Sequence, residues 1–353
     1  MNTFMIGEHK IGSNYPPFIV AELSGNHNRS LDRALDLVKL AKESGVNAVK
    51  LQTYTPDTIT LPIRVREFLI EDQKSLWKNR SLYDLYEEAY LPWEWHEPIF
   101  NRCRELGLVV FSTPFDETAV DFLETLNPPC YKIASPEIVD IPLIKKAAST
   151  GKPLILSTGA STLVEIGQGV AAARDAGCKD LLLLKCTAAY PTDPKDANLL
   201  TIPHLAHSFD TLVGLSDHSL GLGVAIASVA LGACFIEKHF TDDRSKGGVD
   251  SAFSMEPQEF QQLVIETKRA WKSLGKVNYN LSNSEKVSHS HRPSLYFVET
   301  LSKGTVIKPQ HIRSVRPGKG LPPLHYEELI GLKLCQDVSH GTPVSWIYFK
   351  ETS

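Results

Sequence analysis

The sequence has no long hydrophobic run. Its longest aliphatic stretch, Leu181–Leu184, is far too short to span a bilayer, and no basic segment leads into an apolar one near the N-terminus. We therefore expect neither a membrane protein nor a signal peptide. An excess of one charge is also missing. The 37 Lys and Arg face 41 Asp and Glu, giving a formal net charge of −4. That balance gives no support for nucleic-acid or membrane-surface binding, so any anion site has to be local. The six cysteines, at positions 103, 130, 178, 186, 234 and 335, form no C-x-x-C pair. Cys130, Cys186 and Cys234 lie in apolar runs, where the thiol behaves as a small hydrophobe; reduced, cytoplasmic usage without zinc-finger spacing is expected. A phosphate loop, a G-x-S-x-G elbow and an H-E-x-x-H pair are absent as well. Gly167-x-Gly169-x-x-Ala172 fits the dinucleotide fingerprint in letters only, because it lies inside a helical stretch.

What is present is a strand-then-helix rhythm from Phe18 to Leu274. Strands are expected at 18–22, 48–52, 109–112, 130–134, 153–157, 181–186, 213–216 and 235–239. Helices are expected at 30–44, 84–90, 94–106, 117–126, 143–149, 163–176, 199–209, 222–231 and 257–274. Eight strands in about 255 residues is the size of a (β/α)₈ TIM barrel. A doubly wound open sheet is the alternative, and eight regular repeats favour closure.

Strand after strand ends in polar residues: Glu22; Lys50 and Gln52; Ser112 and Thr113; Lys132 and Ser135; Ser157 and Thr158; Thr187 and Tyr190; Ser216 and His218; Glu237 and His239. In a barrel these rim one mouth, where active sites sit. His218 and His239 end neighbouring strands of one β–α–β unit, and two imidazoles so placed can share one divalent cation. The alternative is two histidines that only cap their strands. Closure brings Glu22 near them. Lys50 and Lys132, each embedded in an apolar run, suit a small phosphorylated and carboxylated anion, helped by Thr113, Ser135, Ser157 and Ser216. Alternatively each lysine pairs with a barrel carboxylate such as Glu137. Trp93, Trp95 and the tyrosines of 83–90 are a lid or, for most of them, packing for the long connection from Thr53 to Pro92.

After Leu274 the composition shifts. Residues 276–290 are polar and aperiodic and read as a linker. From 291 to 353 short β-like runs, at 294–298, 305–307 and 343–346, are broken by Gly and Pro; a second small domain is expected, with Arg316 on a stiff exposed loop.

Several stretches together resemble the sialic-acid (nonulosonic acid) synthase family: Ala21-Glu-Leu-Ser-Gly-Asn-His-Asn28, Ala48-Val-Lys-Leu-Gln-Thr53, Phe111-Ser-Thr-Pro-Phe115, Tyr131-Lys-Ile-Ala-Ser135, Ser157-Thr-Gly159, Gly214-Leu-Ser-Asp-His218 and Glu237-Lys-His-Phe240. The tail from Ser294 resembles the antifreeze-like SAF (β-clip) domain that ends these enzymes. The resemblance implies a barrel synthase domain over 1–275, a linker over 276–290 and the SAF domain over 291–353. It implies metal-dependent condensation of phosphoenolpyruvate with an open-chain amino sugar. In that reading His218 and His239 hold Mn²⁺ or Mg²⁺ and Glu22 handles the attacking water. Lys50, Thr113, Lys132, Ser135, Ser157 and Ser216 hold phosphoenolpyruvate; Gln52, Glu137, Tyr190 and Asp250 contact the sugar. Arg316 reaches the partner's barrel in a domain-swapped homodimer. Ser24-Gly25 before Asn26, Leu51-Gln-Thr-Tyr-Thr-Pro-Asp57, the run from Asp84 to His96 and Val249-Asp-Ser-Ala-Phe-Ser-Met-Glu-Pro257 resemble the branch that takes a 2,4-diacetamido-2,4,6-trideoxy-L-altrose. Synthases acting on N-acetylmannosamine or the legionaminic precursor, a metal-dependent aldolase or related ketodeoxy-sugar phosphate synthase on the same barrel, and a non-catalytic carbohydrate-binding protein are the alternatives.

Overall fold

The computed structural model describes residues 3–72 and 75–350, and divides into two compact units, Met1–Gly275 and Lys276–Ser353. In the first unit an antiparallel hairpin, β1 (Phe4–Ile6) and β2 (His9–Ile11), precedes a closed barrel of eight parallel strands. The barrel strands are β3 (Phe18–Glu22), β4 (Ala48–Thr53), β5 (Val109–Pro114), β6 (Tyr131–Ile133), β7 (Leu154–Ser157), β8 (Leu181–Cys186), β9 (Leu212–Asp217) and β10 (Phe235–His239). Strand β10 closes the ring on β3, with His239 opposite Glu22.

Helices alternate with the strands: α1 (Leu31–Glu43), α2 (Pro56–Ile59), α3 (Leu82–Ala89), α4 (His96–Glu105), α5 (Glu117–Leu126), α6 (Ile141–Ala148), α7 (Leu163–Asp175), α8 (Thr201–Phe209), α9 (Gly223–Ala230) and α10 (Pro257–Leu274). Their starts are written locally. Ser30, Asp116, Asp140 and Thr162 each accept a backbone N–H of the first turn, satisfying donors that the helix itself leaves open. The Gly167–Ala172 run lies within α7, where the expectation put it.

Strand alternation sorts the core into two layers. One parity, including Ile19, Ala21, Val49, Leu51, Ile133, Leu156, Leu183, Leu215 and Ile236, packs outward against the helices. The other parity points into the barrel. Its lower part is apolar: Phe18, Val20, Ala48, Phe111, Cys130, Ile155, Leu182, Leu184 and Phe235 pack together there. Phe4, Ile6 and Ile11 of the hairpin join that cluster and stopper the N-terminal end of the barrel. Gly214 faces this crowded interior, where a Cβ would lie 2.4 Å from the Phe235 carbonyl oxygen and 2.6 Å from Leu184 Cδ2. No larger residue fits that position. Higher up, the same inward parity turns polar.

The hairpin was not anticipated from sequence; three-residue strands are too short to show a period. In the second unit β11 (Ser294–Phe297) pairs antiparallel with β12 (Ile312–Val315). Leu295, Phe297, Leu301, Ile307, Ile312, Leu329, Leu334, Val338 and Val344 form its small core. The expected run at 294–298 is a strand, whereas 305–307 and 343–346 contribute only single bridges, at Val306 and Pro343. Strand β12 was missed because two of its four side chains in succession are exposed, so no alternation shows. Helix α11 (Glu285–Ser290) lies within the stretch read as a linker, and α12 (Tyr326–Leu329) follows β12. No helix among the described residues is long and apolar enough to cross a membrane.

Candidate active site

The polar upper ends of the inward parity meet at the C-terminal mouth of the barrel. Lys50 lies beside Glu22 in the β3–β4 register and forms an ion pair with it. Its Nζ also donates to Thr113 Oγ1 at 3.0 Å and lies 3.8 Å from Glu237. Lys132 Nζ donates to Glu237 at 3.0 Å, and Ser216 Oγ donates to the same carboxylate at 3.3 Å. Glu22, Lys50, Lys132 and Glu237 are 0–4% exposed. Both lysines are thus paired, but with Glu22 and Glu237, not with Glu137.

Charges this deep shift one another. Burial pushes the Glu22 carboxyl up, against the pull of Lys50. Burial works the same way on Glu237, but Lys132 and Lys50 outweigh it and hold that carboxyl down. Burial lowers Lys132, while the pull of Glu22 and Glu237 overcomes burial at Lys50 and raises it. Around this quartet stand hydroxyls. Ser135 Oγ accepts the Gly159 N–H at 3.0 Å, and the buried Ser157 Oγ has no hydrogen-bond partner among the described residues. A buried hydroxyl without a partner is costly unless something comes to meet it.

The imidazoles of His218 and His239 lie 5.2 Å apart, centroid to centroid. His218 Nδ1 is 3.0 Å from the Thr187 carbonyl oxygen, which makes Nδ1–H the donor and, in the neutral ring, leaves Nε2 as a lone pair. His239 Nδ1 is buried without a hydrogen-bond partner among the described residues, 3.9 Å from Asp250 Oδ2. Burial, with His218 and the two lysines close by, holds His239 well below the usual histidine range, so it is neutral. Burial lowers His218 too, but Cys186 outweighs it and raises that imidazole. In return, burial would raise the Cys186 thiol, and His218 pulls it down to about 7. A cation at His218 competes with that proton.

No group of three or more His, Cys, Asp or Glu that could hold a metal occurs among the described residues. An orphaned neutral imidazole beside one whose outer nitrogen is already fixed nevertheless suits a cation held by two protein ligands. Such a site leaves its other positions open, as catalytic metal sites do.

The remaining expected residues fall as follows. Asp250 is held by Ser24 Oγ across the mouth, and burial raises its carboxyl. Glu137, in the turn after β6, is raised to about 7 by burial and leaves Oε2 without a partner among the described residues. Tyr190 lies over His218, with ring centroids 4.4 Å apart. Gln52, half-buried, sits beside Thr113 in the β4–β5 register. Arg316 belongs to the second unit and is exposed. Of the aromatic residues offered as a lid, Trp93 stacks on Phe122 and donates to the Tyr54 carbonyl, and Trp95 packs on His27. They are packing for the long connection.

Four residues at the mouth escaped the sequence reading. Cys186 continues the inward parity of Leu182 and Leu184 and could have been found from it. Ser24, Trp77 and Phe253 sit on loops, where no period points to them. Gly25 lets those loops meet: a Cβ there would lie 3.2–3.3 Å from Ala89 and Val249. A separate cavity of about 570 Å³, lined by Phe4, Arg174, Asp180, His207, Asp210 and Leu212 among others, opens at the opposite end of the barrel and holds none of these residues.

Residues 37–279 match the model of the NeuB family, and residues 292–347 that of the SAF domain. The pseudaminic acid synthase of Helicobacter pylori is 43% identical over 332 residues, which cover 94% of this chain and 97% of that one. The N,N'-diacetyllegionaminic acid synthase of Legionella pneumophila is 35% identical over 95% of both. Among solved structures, the N-acetylneuraminic acid synthetase of Leptospira borgpetersenii in complex with citrate superposes with a TM-score of 0.71 at 32% identity, covering 81% of this chain and 95% of that one.

Proposed function

The chain belongs to the NeuB family, and from that premise we propose that it condenses phosphoenolpyruvate with open-chain 2,4-diacetamido-2,4,6-trideoxy-L-altrose, the reaction of a pseudaminic acid synthase. The products are a nine-carbon nonulosonic acid and phosphate. The observation that carries this reading is the meeting of two buried ammonium groups and two facing imidazoles in one mouth. Identities of 41–43% to three pseudaminic acid synthases, each over more than nine-tenths of the chain, support the choice of sugar.

In the proposed reaction Lys50, Lys132 and the hydroxyls of Thr113, Ser135, Ser157 and Ser216 hold the phosphate and carboxylate of phosphoenolpyruvate. The unpartnered Ser157 hydroxyl gains a partner there. Gln52, Glu137, Tyr190 and Asp250 hold the sugar so that its aldehyde carbon faces C3 of phosphoenolpyruvate. His218 and His239 would hold a Mn²⁺ or Mg²⁺ ion, which would supply Lewis acidity for activating the aldehyde. The C3 electron pair forms the new C–C bond as the aldehyde C=O π pair moves onto its oxygen, which takes up a proton to become a hydroxyl, and positive charge develops at C2. Water adds at C2, Glu22 takes its proton, and the C2–O bond to phosphate breaks. Burial raises Glu22, which suits a proton acceptor better than an ordinary surface carboxylate. The enzyme acts as a homodimer, with Arg316 of each chain completing the sugar site of the other. The free cysteines fit a cytoplasmic setting.

Incubation with phosphoenolpyruvate, Mn²⁺ and each candidate sugar, followed by mass spectrometry, tests the reading. Phosphate release is expected to require both substrates. A mass matching the N-acetylneuraminate or legionaminate product instead would reassign the sugar. Sugar binding without turnover would make the protein a binding module. His239→Ala should abolish metal-dependent phosphate release; undiminished turnover removes the metal assignment.

A further inference from the structure

One side of the mouth is built from carbon. Phe253, in the loop after β10, lies 4.8 Å from the His239 ring and 5.2 Å from Tyr190, centroid to centroid. Tyr190, after β8, lies 5.7 Å from Trp77, which comes from the long connection after β4. Three loops distant in sequence therefore join into one aromatic wall that begins at the paired imidazoles and runs outward. The wall has few polar groups to offer. The Trp77 indole N–H is committed to the Val249 carbonyl oxygen at 2.9 Å, and Phe253 has none. The Tyr190 hydroxyl is the one polar group the three rings leave. Elsewhere on the rim the side chains are polar: Gln52 at the end of β4, and Glu137 after β6 with an unpartnered carboxylate oxygen.

We propose that Trp77, backed by Tyr190 and Phe253, is the specificity-determining surface for the far end of the sugar, selecting a chain that ends in a methyl group over one that ends in a hydroxymethyl. This rests on the reaction proposed above. The aldehyde carbon must lie beside His218 and His239, so the other end of the open chain runs along the wall towards Trp77. A methyl group there replaces water against carbon. A hydroxymethyl group loses its water and finds no free polar group on Trp77 or Phe253 in return, the Tyr190 hydroxyl being the one the wall leaves. An apolar pocket discriminates against an added hydroxyl by on the order of 100-fold.

The test compares kcat/KM for 2,4-diacetamido-2,4,6-trideoxy-L-altrose and for its 6-hydroxy analogue. The wild-type protein should favour the 6-deoxy sugar by on the order of 100-fold. Trp77→Ala should cut that ratio about tenfold, through the sugar KM more than kcat, while Trp77→Phe keeps most of it. The KM for phosphoenolpyruvate, which a general loosening of the mouth would raise, should stay where it is. If Trp77→Ala does not fold, Phe253→Leu is read the same way. An unaltered ratio in the folded variant, or a wild-type protein indifferent to the 6-hydroxyl, overturns the proposal and leaves the reaction standing. Turnover of neither sugar overturns the reaction and the proposal together.

Discussion

Two histidines outside the reacting centre tie the fold to pH. His27 Nδ1 accepts the Arg29 N–H at 3.1 Å while Nε2 faces the Ala89 carbonyl oxygen at 3.2 Å. His96 sits between the Pro92 carbonyl and the Thr53 hydroxyl. His27 has one nitrogen donating and one accepting, an arrangement only the neutral imidazole satisfies, whereas the Thr53 hydroxyl can meet His96 Nε2 in either role. Burial holds both at about 4, against about 6.5 in an unfolded chain. As pH falls below 6.5 the unfolded chain takes up protons that the folded chain refuses. Stability is therefore full above that point and drains away down to about 4. The loss from pH 7.5 to 5 should be about 2 kcal/mol for each histidine. Urea denaturation at the two pH values checks this, and His27→Gln should shrink the difference by about that amount. At this scale the sequence was legible wherever a residue's place on a strand decides its direction. Lys50, Lys132, Glu22 and both site histidines converge because alternation and closure leave them nowhere else to point. Phe253 and Trp77 obey no such rule, and their roles are set by tertiary contact.

At the scale of elements, the barrel was readable because each unit repeats one local grammar of capped helix and apolar strand. The less regular second unit was read only in part. The parity that points the site residues inward also turns their chain neighbours outward. Asp217 precedes His218 and Lys238 precedes His239, and these two neighbours form an ion pair at 2.7 Å with side chains 1–2% exposed. Lys238 also donates to the Ser219 carbonyl at 2.7 Å, and Ser219 donates to Asp217 from both backbone and hydroxyl. The two strands that carry the imidazoles are thus bolted together on their hidden side. Lys238→Met strands a buried carboxylate and should cost about 3–5 kcal/mol in urea denaturation. Adding Asp217→Leu should recover part of that loss, because it is the unpaired charge that is expensive.

For the whole molecule, the division after Gly275 follows the change from periodic to aperiodic sequence. The proposed pairing of two subunits through Arg316 has no mark in composition or periodicity; it rests on family likeness alone. Arg316→Ala should leave the proposed dimer intact in sedimentation and raise the sugar KM about tenfold, the scale of a lost charged hydrogen bond. An unchanged KM would remove Arg316 from the site. The hairpin seal of Phe4, Ile6 and Ile11 has a further consequence. A chamber with a floor has a single doorway, so traffic through it must queue. If Lys50 and Lys132 hold phosphoenolpyruvate as proposed, they lie below the residues proposed to hold the sugar, and phosphoenolpyruvate has to enter first. A sugar that arrives early blocks the way down, and excess sugar should slow the enzyme rather than merely saturate it.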